Sequence, residues 1–199
     1  MYLGSIPDLM SDADVLWVPR KKSSAFYSFE MTGFLVGDKS IGVTDHSVYN
    51  DGDAIIDSGT SDCCLARFAF DALKATLASY CSSTCLKGVC DCDSGLPLEN
   101  TIFENRCVDM NQEQREAFPD FTINMNGVKV VHKSADYLQD GTVFCDTGKY
   151  TISYSSCGGE GSGTILGDSF MQGVISIHDI ENNRLGFLPR DSSKDCPSY

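Results

Sequence analysis

The sequence predicts a mostly β chain with one or two short helices, and three observations carry that prediction. In "SAFYSFEMTGFLVGDKSIGV" aromatic and β-branched residues alternate with polar ones, and Gly33, Gly37 and Gly42 interrupt the run. That is the pattern of strand, turn and strand with one face buried. In "FTINMNGVKVVHKSADYL" the pair Asn126-Gly127 separates two alternating runs, the strongest short-range hairpin signal, because both residues accept positive φ. Helical spacing is clear only in "ARFAFDALKATLASYC", where Phe68, Leu73 and Leu77 mark a surface helix.

The remaining elements follow in order. "NDGDAIIDSG" reads as a turn and a further strand. Residues 81–107 hold cysteine, glycine and proline with no period, and read as a disulfide-pinned insertion. "YTISYSS" reads as one strand and "CGGEGSG" as a loop; the latter lacks the lysine and following helix of a phosphate-binding loop. "TILGDSFMQGVISIHDIENNRLGFLP" closes the chain with strands around an "IENNR" turn. No repeat of solenoid period is present.

Composition narrows the class. The 199 residues are 42% hydrophobic and 22% charged, the balance of a globular chain, and suffice for one sizeable domain or two small ones. The net charge of −13 argues against nucleic acid, which needs a basic face. No apolar stretch reaches bilayer length. The start, "MYLGSIPDLM", lacks the basic residues and long apolar run of a secretory signal. Ten cysteines nonetheless favour an oxidising compartment and disulfides. The simplest reconciliation is that the sequence is a piece of something longer. Against disulfides stands a metal site in "CSSTCLKGVCDC", where Cys81, Cys85, Cys90 and Cys92 could supply four thiolates, although zinc sites usually show CxxC pairs. His46, His132 and His178 have no ligand spacing and read as satisfied or exposed side chains.

The chemistry concentrates in "GDAIIDSGTSDCCLA". A buried strand ends on Asp57, followed by Ser58, Gly59, Thr60 and Ser61. Gly59 permits a tight turn whose backbone N–H groups face the carboxylate, and the hydroxyls of Ser58 and Thr60 can add hydrogen bonds. Taken alone, the stretch is equally an Asx-type turn at a strand end, the commoner arrangement. One aspartate is a weak acid–base catalyst. Two that share a proton can activate water and protonate a leaving group.

"AIIDSGTS", followed about a hundred residues later by "TILGDSF" and "HDIENNRLGF", resembles the C-terminal lobe of the pepsin-like aspartic proteases. "YSFEMTGFLVG" is similar to the opening hairpin of that lobe and "YLGS" with "DVLWVP" to the strand linking the lobes; "FPDF" and "ADYL" fall in the same order. The resemblance implies the C-terminal lobe of the bilobal acid protease fold over 23–190, with the insertion at 81–107. It makes 1–22 the interlobe strand and its approach, and 191–199 a tail. It also implies that Asp57 is the second catalytic aspartate. Gly59 then supplies an N–H to its inner oxygen and Thr60 a hydroxyl to its outer one, while Thr60 and Ser61 line the substrate cleft. Ser58 ties the active-site loops together, and Ile165, Leu166 and Gly167 cross beneath. Cys107 and Cys145 match a disulfide of membrane-anchored relatives.

By the same resemblance the chain is half of an endopeptidase that works without metal or cofactor. Its substrates are peptides or proteins, its inhibitors of pepstatin type, and its setting the secretory pathway, secreted or vacuolar and lysosome-like, as a zymogen. Its partner is an N-terminal lobe with its own Asp-Thr-Gly; without that lobe the chain is expected to be inactive and to self-associate through the exposed interlobe face. Asp146-Thr147-Gly148 spells the missing signature, but Lys149 stands where a hydroxyl residue belongs and the match reads as coincidence. Two other functions compete: a non-catalytic pepsin-fold binding or inhibitor module, and a retroviral-type homodimer pairing two copies of Asp57. The intact "DSGTS" disfavours the first; the interlobe strand and cysteine insertion disfavour the second.

Overall fold

Alternation along the chain becomes sheet faces in the structure, a computed structural model that describes residues 12–22, 25–104, 106–142, 145–158 and 161–190. The linker portion 1–11, the tail 191–199 and Cys196 lie outside the described residues. The strand Phe121–Met125 buries Phe121, Ile123 and Met125 and pairs antiparallel with Val128–His132 across Asn126 and Gly127, which take φ of 50° and 88°. Its other edge pairs with Met31–Val36, which turns through Gly37 (φ 59°) into Lys39–Ser40. These four strands form one sheet.

A second sheet of five strands runs in the order Tyr154–Ser156, Cys63–Leu65, Thr164–Leu166, Ala54–Ile56, Ser28–Phe29. A third, antiparallel throughout, places Arg184–Pro189 between Leu16–Pro19 and Val174–Asp179. Between the layers lies an aromatic core. Phe121 stacks on Tyr137 with centroids 4.0 Å apart, and Phe34 and Tyr154 meet Phe121 at steeper angles, both at 5.3 Å. The predicted strand "YTISYSS" is two: Lys149–Ile152 pairs with Val108–Asp109 and Leu138–Gln139, and Tyr154–Ser156 pairs with Cys63–Leu65. Ser153 makes the break, donating its N–H to Tyr137 O and accepting from Cys63 N.

The predicted helix spans Arg67–Ala78, but its buried stripe is Ala69, Phe70, Leu73 and Leu77. Phe68 is 67% exposed. At about 100° per residue Phe68 lies on the face opposite Phe70, so it never shared a stripe with Leu73. Among the described residues four further α-helices, Ser47–Asn50, Gln112–Glu116, Ser134–Tyr137 and Asp168–Gln172, are too short for any period to mark them. Gln112–Glu116 carries a capping box, formed by Asn111 and Gln114.

Inside the insertion Cys81 pairs with Cys90 and Cys85 with Cys92, so those four sulfurs are not metal ligands. Cys107 and Cys145 are bridged with Cα atoms 5.5 Å apart, and Cys64–Cys157 clamps the edge of the five-stranded sheet. Cys63 is a buried free thiol. Exposed apolar side chains include Phe26, Tyr27 and Ile180. Tyr27 packs against His178 at 4.2 Å between centroids, with Arg20 over its ring, and its carbonyl accepts from Ile56 N, so this exposed ring lies close in the fold to Asp57.

Candidate active site

The sequence Ala54-Ile55-Ile56 makes a strand because β-branched residues suit a pleated, buried surface. Thr164–Leu166 runs parallel to it in register, with Ile165 opposite Ile55 and Leu166 opposite Ile56. On its other side Thr164–Leu166 meets Cys63–Leu65 antiparallel, through Ile165 and Cys64. The segment 57–62 therefore leaves one neighbour of the central strand and returns as the other, straddling it. Ile165, Leu166 and Gly167 lie beneath this loop.

Backbone bonds fix the loop at each stage. Asp57 N donates to Leu166 O at 3.1 Å, Asp168 N to Thr60 O at 2.8 Å and Ser169 N to Ser61 O at 3.0 Å. Gly167 is required by the crossing: a Cβ there would stand 2.3 Å from Thr60 O and 2.4 Å from Asp62 O. Farther along the same strand pair, a Cβ on Gly163 would meet Asp53 O at 1.8 Å.

The Asp57 carboxylate is gripped from two sides. Gly59 N donates to Oδ1 at 2.9 Å, and Thr60 Oγ1 donates to Oδ2 at 2.6 Å. Thr60 N also donates to Asp57 O at 3.2 Å, closing the turn. The Thr60 hydroxyl, then the Gly59 N–H, hold the pKa of Asp57 below the ordinary carboxylate range against a smaller opposing effect of burial. Ser58, Gly59 and Ser61 are exposed and Thr60 half-buried, so the loop presents two hydroxyls and an ionised carboxylate to solvent. Asp62 is half-buried, and burial pushes its pKa up.

Asp146-Thr147-Gly148 has none of this. Asp146 is 88% exposed and lies 3.7 Å from Lys149 Nζ in a surface turn. Sequence reasoning passed over the polar cluster behind the loop: His132, Tyr154, Ser169 and Cys63, from four separate segments, are buried together. No spacing in the sequence links them. A histidine ending an apolar strand was the one available signal.

The eukaryotic aspartyl protease family matches this chain over residues 1–189. Gastricsin of Oryctolagus cuniculus is 26% identical over 188 residues, 94% of this chain and 41% of its own length. Aspartic protease 17 of Caenorhabditis elegans is 28% identical over 188 residues, 92% of this chain and 40% of its own. Beta-secretase of Strongylocentrotus purpuratus is 26% identical over 184 residues, 86% of this chain and 31% of its own. The chain thus spans about two fifths of the length of the first two of these relatives.

Proposed function

Since the chain belongs to the eukaryotic aspartyl protease family, we propose that it supplies one of the two catalytic carboxylates, Asp57, of an acid endopeptidase. The observation that carries this is the paired grip on the carboxylate, Gly59 N on Oδ1 and Thr60 Oγ1 on Oδ2, in a loop open to solvent. Asp91, at the end of the strand Cys90–Asp91, carries the same grip from Asp93 N and Ser94 Oγ; the grip counts at Asp57 because that loop also straddles Thr164–Leu166, with Asp57 N on Leu166 O and Asp168 N on Thr60 O.

Held this way, Asp57 faces a second carboxylate of an N-terminal lobe, at about 3 Å, and the two share one proton. A water between them gives its proton to the ionised carboxylate as its oxygen attacks the peptide carbonyl carbon. The protonated carboxyl hydrogen-bonds the carbonyl oxygen. Proton transfer to the nitrogen then accompanies cleavage of the C–N bond, leaving a carboxylic acid and an amine. Two carboxylates are needed because the same reaction requires a base and an acid at once. Thr60 and Ser61 border the peptide, and Ser58 contacts the partner loop.

The first lobe docks beside Asp57 over the exposed rings of Phe26 and Tyr27. The disulfides Cys64–Cys157, Cys81–Cys90, Cys85–Cys92 and Cys107–Cys145 suit the secretory pathway, secreted or lysosome-like. The test is peptide turnover in mildly acidic buffer by the two-lobe protein. Pepstatin-sensitive turnover that Asp57→Asn abolishes is expected. Unchanged turnover in that variant overturns the proposal.

A further inference from the structure

Four buried residues behind the catalytic loop, Tyr154, His132, Ser169 and Cys63, are linked in that order by hydrogen bonds. His132 Nδ1 lies 2.9 Å from Tyr154 Oη, and His132 Nε2 lies 3.1 Å from Ser169 O. Cys63 Sγ lies 3.3 Å from Ser169 Oγ. His132 is 1% exposed and Ser169 and Cys63 are fully buried, so water offers none of them an alternative partner.

The chemistry of the groups orders the protons. A carbonyl oxygen only accepts, so the proton of the neutral imidazole sits on Nε2 and is donated to Ser169 O. Nδ1 is then an acceptor and the Tyr154 hydroxyl donates to it. The Cys63 thiol stays protonated because burial pushes its pKa up. Ser169 Oγ and this thiol share the remaining hydrogen bond, in which either can be the donor.

This network meets the catalytic loop at two points. Ser169, whose carbonyl His132 holds, donates its own N–H to Ser61 O, and the preceding Asp168 N donates to Thr60 O. Cys63 is the residue on which the loop re-enters the sheet, its N–H bonded to Ser153 O. Rings of Tyr137, Tyr154 and Phe170 wall the imidazole, with centroids 5.5 to 5.8 Å away.

We propose that His132 is a positioning residue for Asp57: through Ser169 and Cys63 it fixes the loop that aims the carboxylate and holds Thr60 against it. Phe170 and Phe187 continue the packing outward on this side, with no polar path to solvent among these contacts. The proposal rests on Asp57 being the functional carboxylate, so its test reads the position of that group without turnover.

The experiment compares His132→Phe, His132→Gln and Tyr154→Phe in the 199-residue chain. It measures the carboxyl titration of Asp57 by carbon-13 NMR and amide hydrogen exchange at Asp168 and Ser169. Phenylalanine keeps the ring shape and removes both bonds; glutamine keeps one donor and one acceptor and rescues the geometry. In His132→Phe the titration of Asp57 moves up toward the ordinary carboxylate range and both amides exchange at least about tenfold faster, the loss of a net hydrogen bond. In His132→Gln both readouts return toward wild type. Tyr154→Phe, which deletes one hydroxyl, moves them the same way as His132→Phe and serves if that variant does not fold. A folded His132→Phe or Tyr154→Phe with unchanged Asp57 titration and exchange overturns the proposal. Loss of turnover in Asp57→Asn is a separate measurement, so a failed catalytic reading and a failed positioning role give different results.

Discussion

Replacing His132 by glutamine will make the stability of the chain less sensitive to acid. In the folded protein burial lowers the pKa of His132 from 6.5 to about 3, opposed by its bond to Ser169 O. Between those two values the unfolded chain is protonated at this site and the folded chain is not. The unfolded state therefore binds more protons, and stability falls as the pH is lowered through the window; above about 6.5 there is no penalty, and below about 3 it is complete. From pH 7 to pH 4.5 the titration covers about 2 pH units at about 1.4 kcal/mol each, a loss of about 2 to 3 kcal/mol. His178 is also depressed, by burial and then by Arg20, and acts in the same direction; Asp62 and Asp136, raised by burial, act in the opposite one. All three are present in both chains and cancel in the difference. Denaturant unfolding at pH 7 and pH 4.5, wild type against His132→Gln, measures it. The wild type should lose about 2 to 3 kcal/mol more than the variant. Equal losses would show that His132 is not held neutral in the fold and would refute the reasoning.

Three further outcomes are expected. Thr60→Val removes the 2.6 Å bond to Asp57 Oδ2, so the Asp57 titration should move up and about 1 kcal/mol of stability should be lost at neutral pH; NMR titration and denaturant unfolding read both. Gly167→Ala places a Cβ against Thr60 O and Asp62 O and should cost about 1 to 3 kcal/mol or more, since two backbone carbonyls must shift, with faster exchange at Asp168 and Ser169. Replacing Cys107 and Cys145 together by serine opens a loop with a sequence separation of 38; chain entropy sets the loss at about 4 kcal/mol, measured as a drop in the thermal midpoint under oxidising conditions.

The sheets were legible where one face is buried and the other wet. Phe121, Ile123 and Met125 alternate with Thr122 and Asn124, and Asn126-Gly127 marks their hairpin; the structure follows both. The helix was legible, but its buried stripe holds Ala69, Phe70, Leu73 and Leu77 and not Phe68, because five residues at about 100° each set Phe68 far around the axis from Leu73. The split of "YTISYSS" at Ser153 could not be read, since both halves keep β propensity and only their partners differ. The grip on Asp57 was legible because its parts are within three residues of the carboxylate. The network of His132, Tyr154, Ser169 and Cys63 was not: its members lie up to 106 residues apart and each, alone, is an ordinary core side chain. Local chemistry can be read from a sequence; chemistry assembled by topology needs the fold.

The central claim is that Asp57 is one of two carboxylates that hydrolyse a peptide bond. Its most direct test is cleavage of an unstructured protein substrate at acidic pH by the two-lobe protein, by its Asp57→Asn variant and by the 199-residue chain alone, each with and without pepstatin. The account predicts pepstatin-sensitive cleavage by the two-lobe protein, a loss of several orders of magnitude in a variant that remains folded, and no cleavage by the chain alone. Comparable cleavage by the folded Asp57→Asn protein would contradict it, as would pepstatin-sensitive cleavage by the monomeric chain alone.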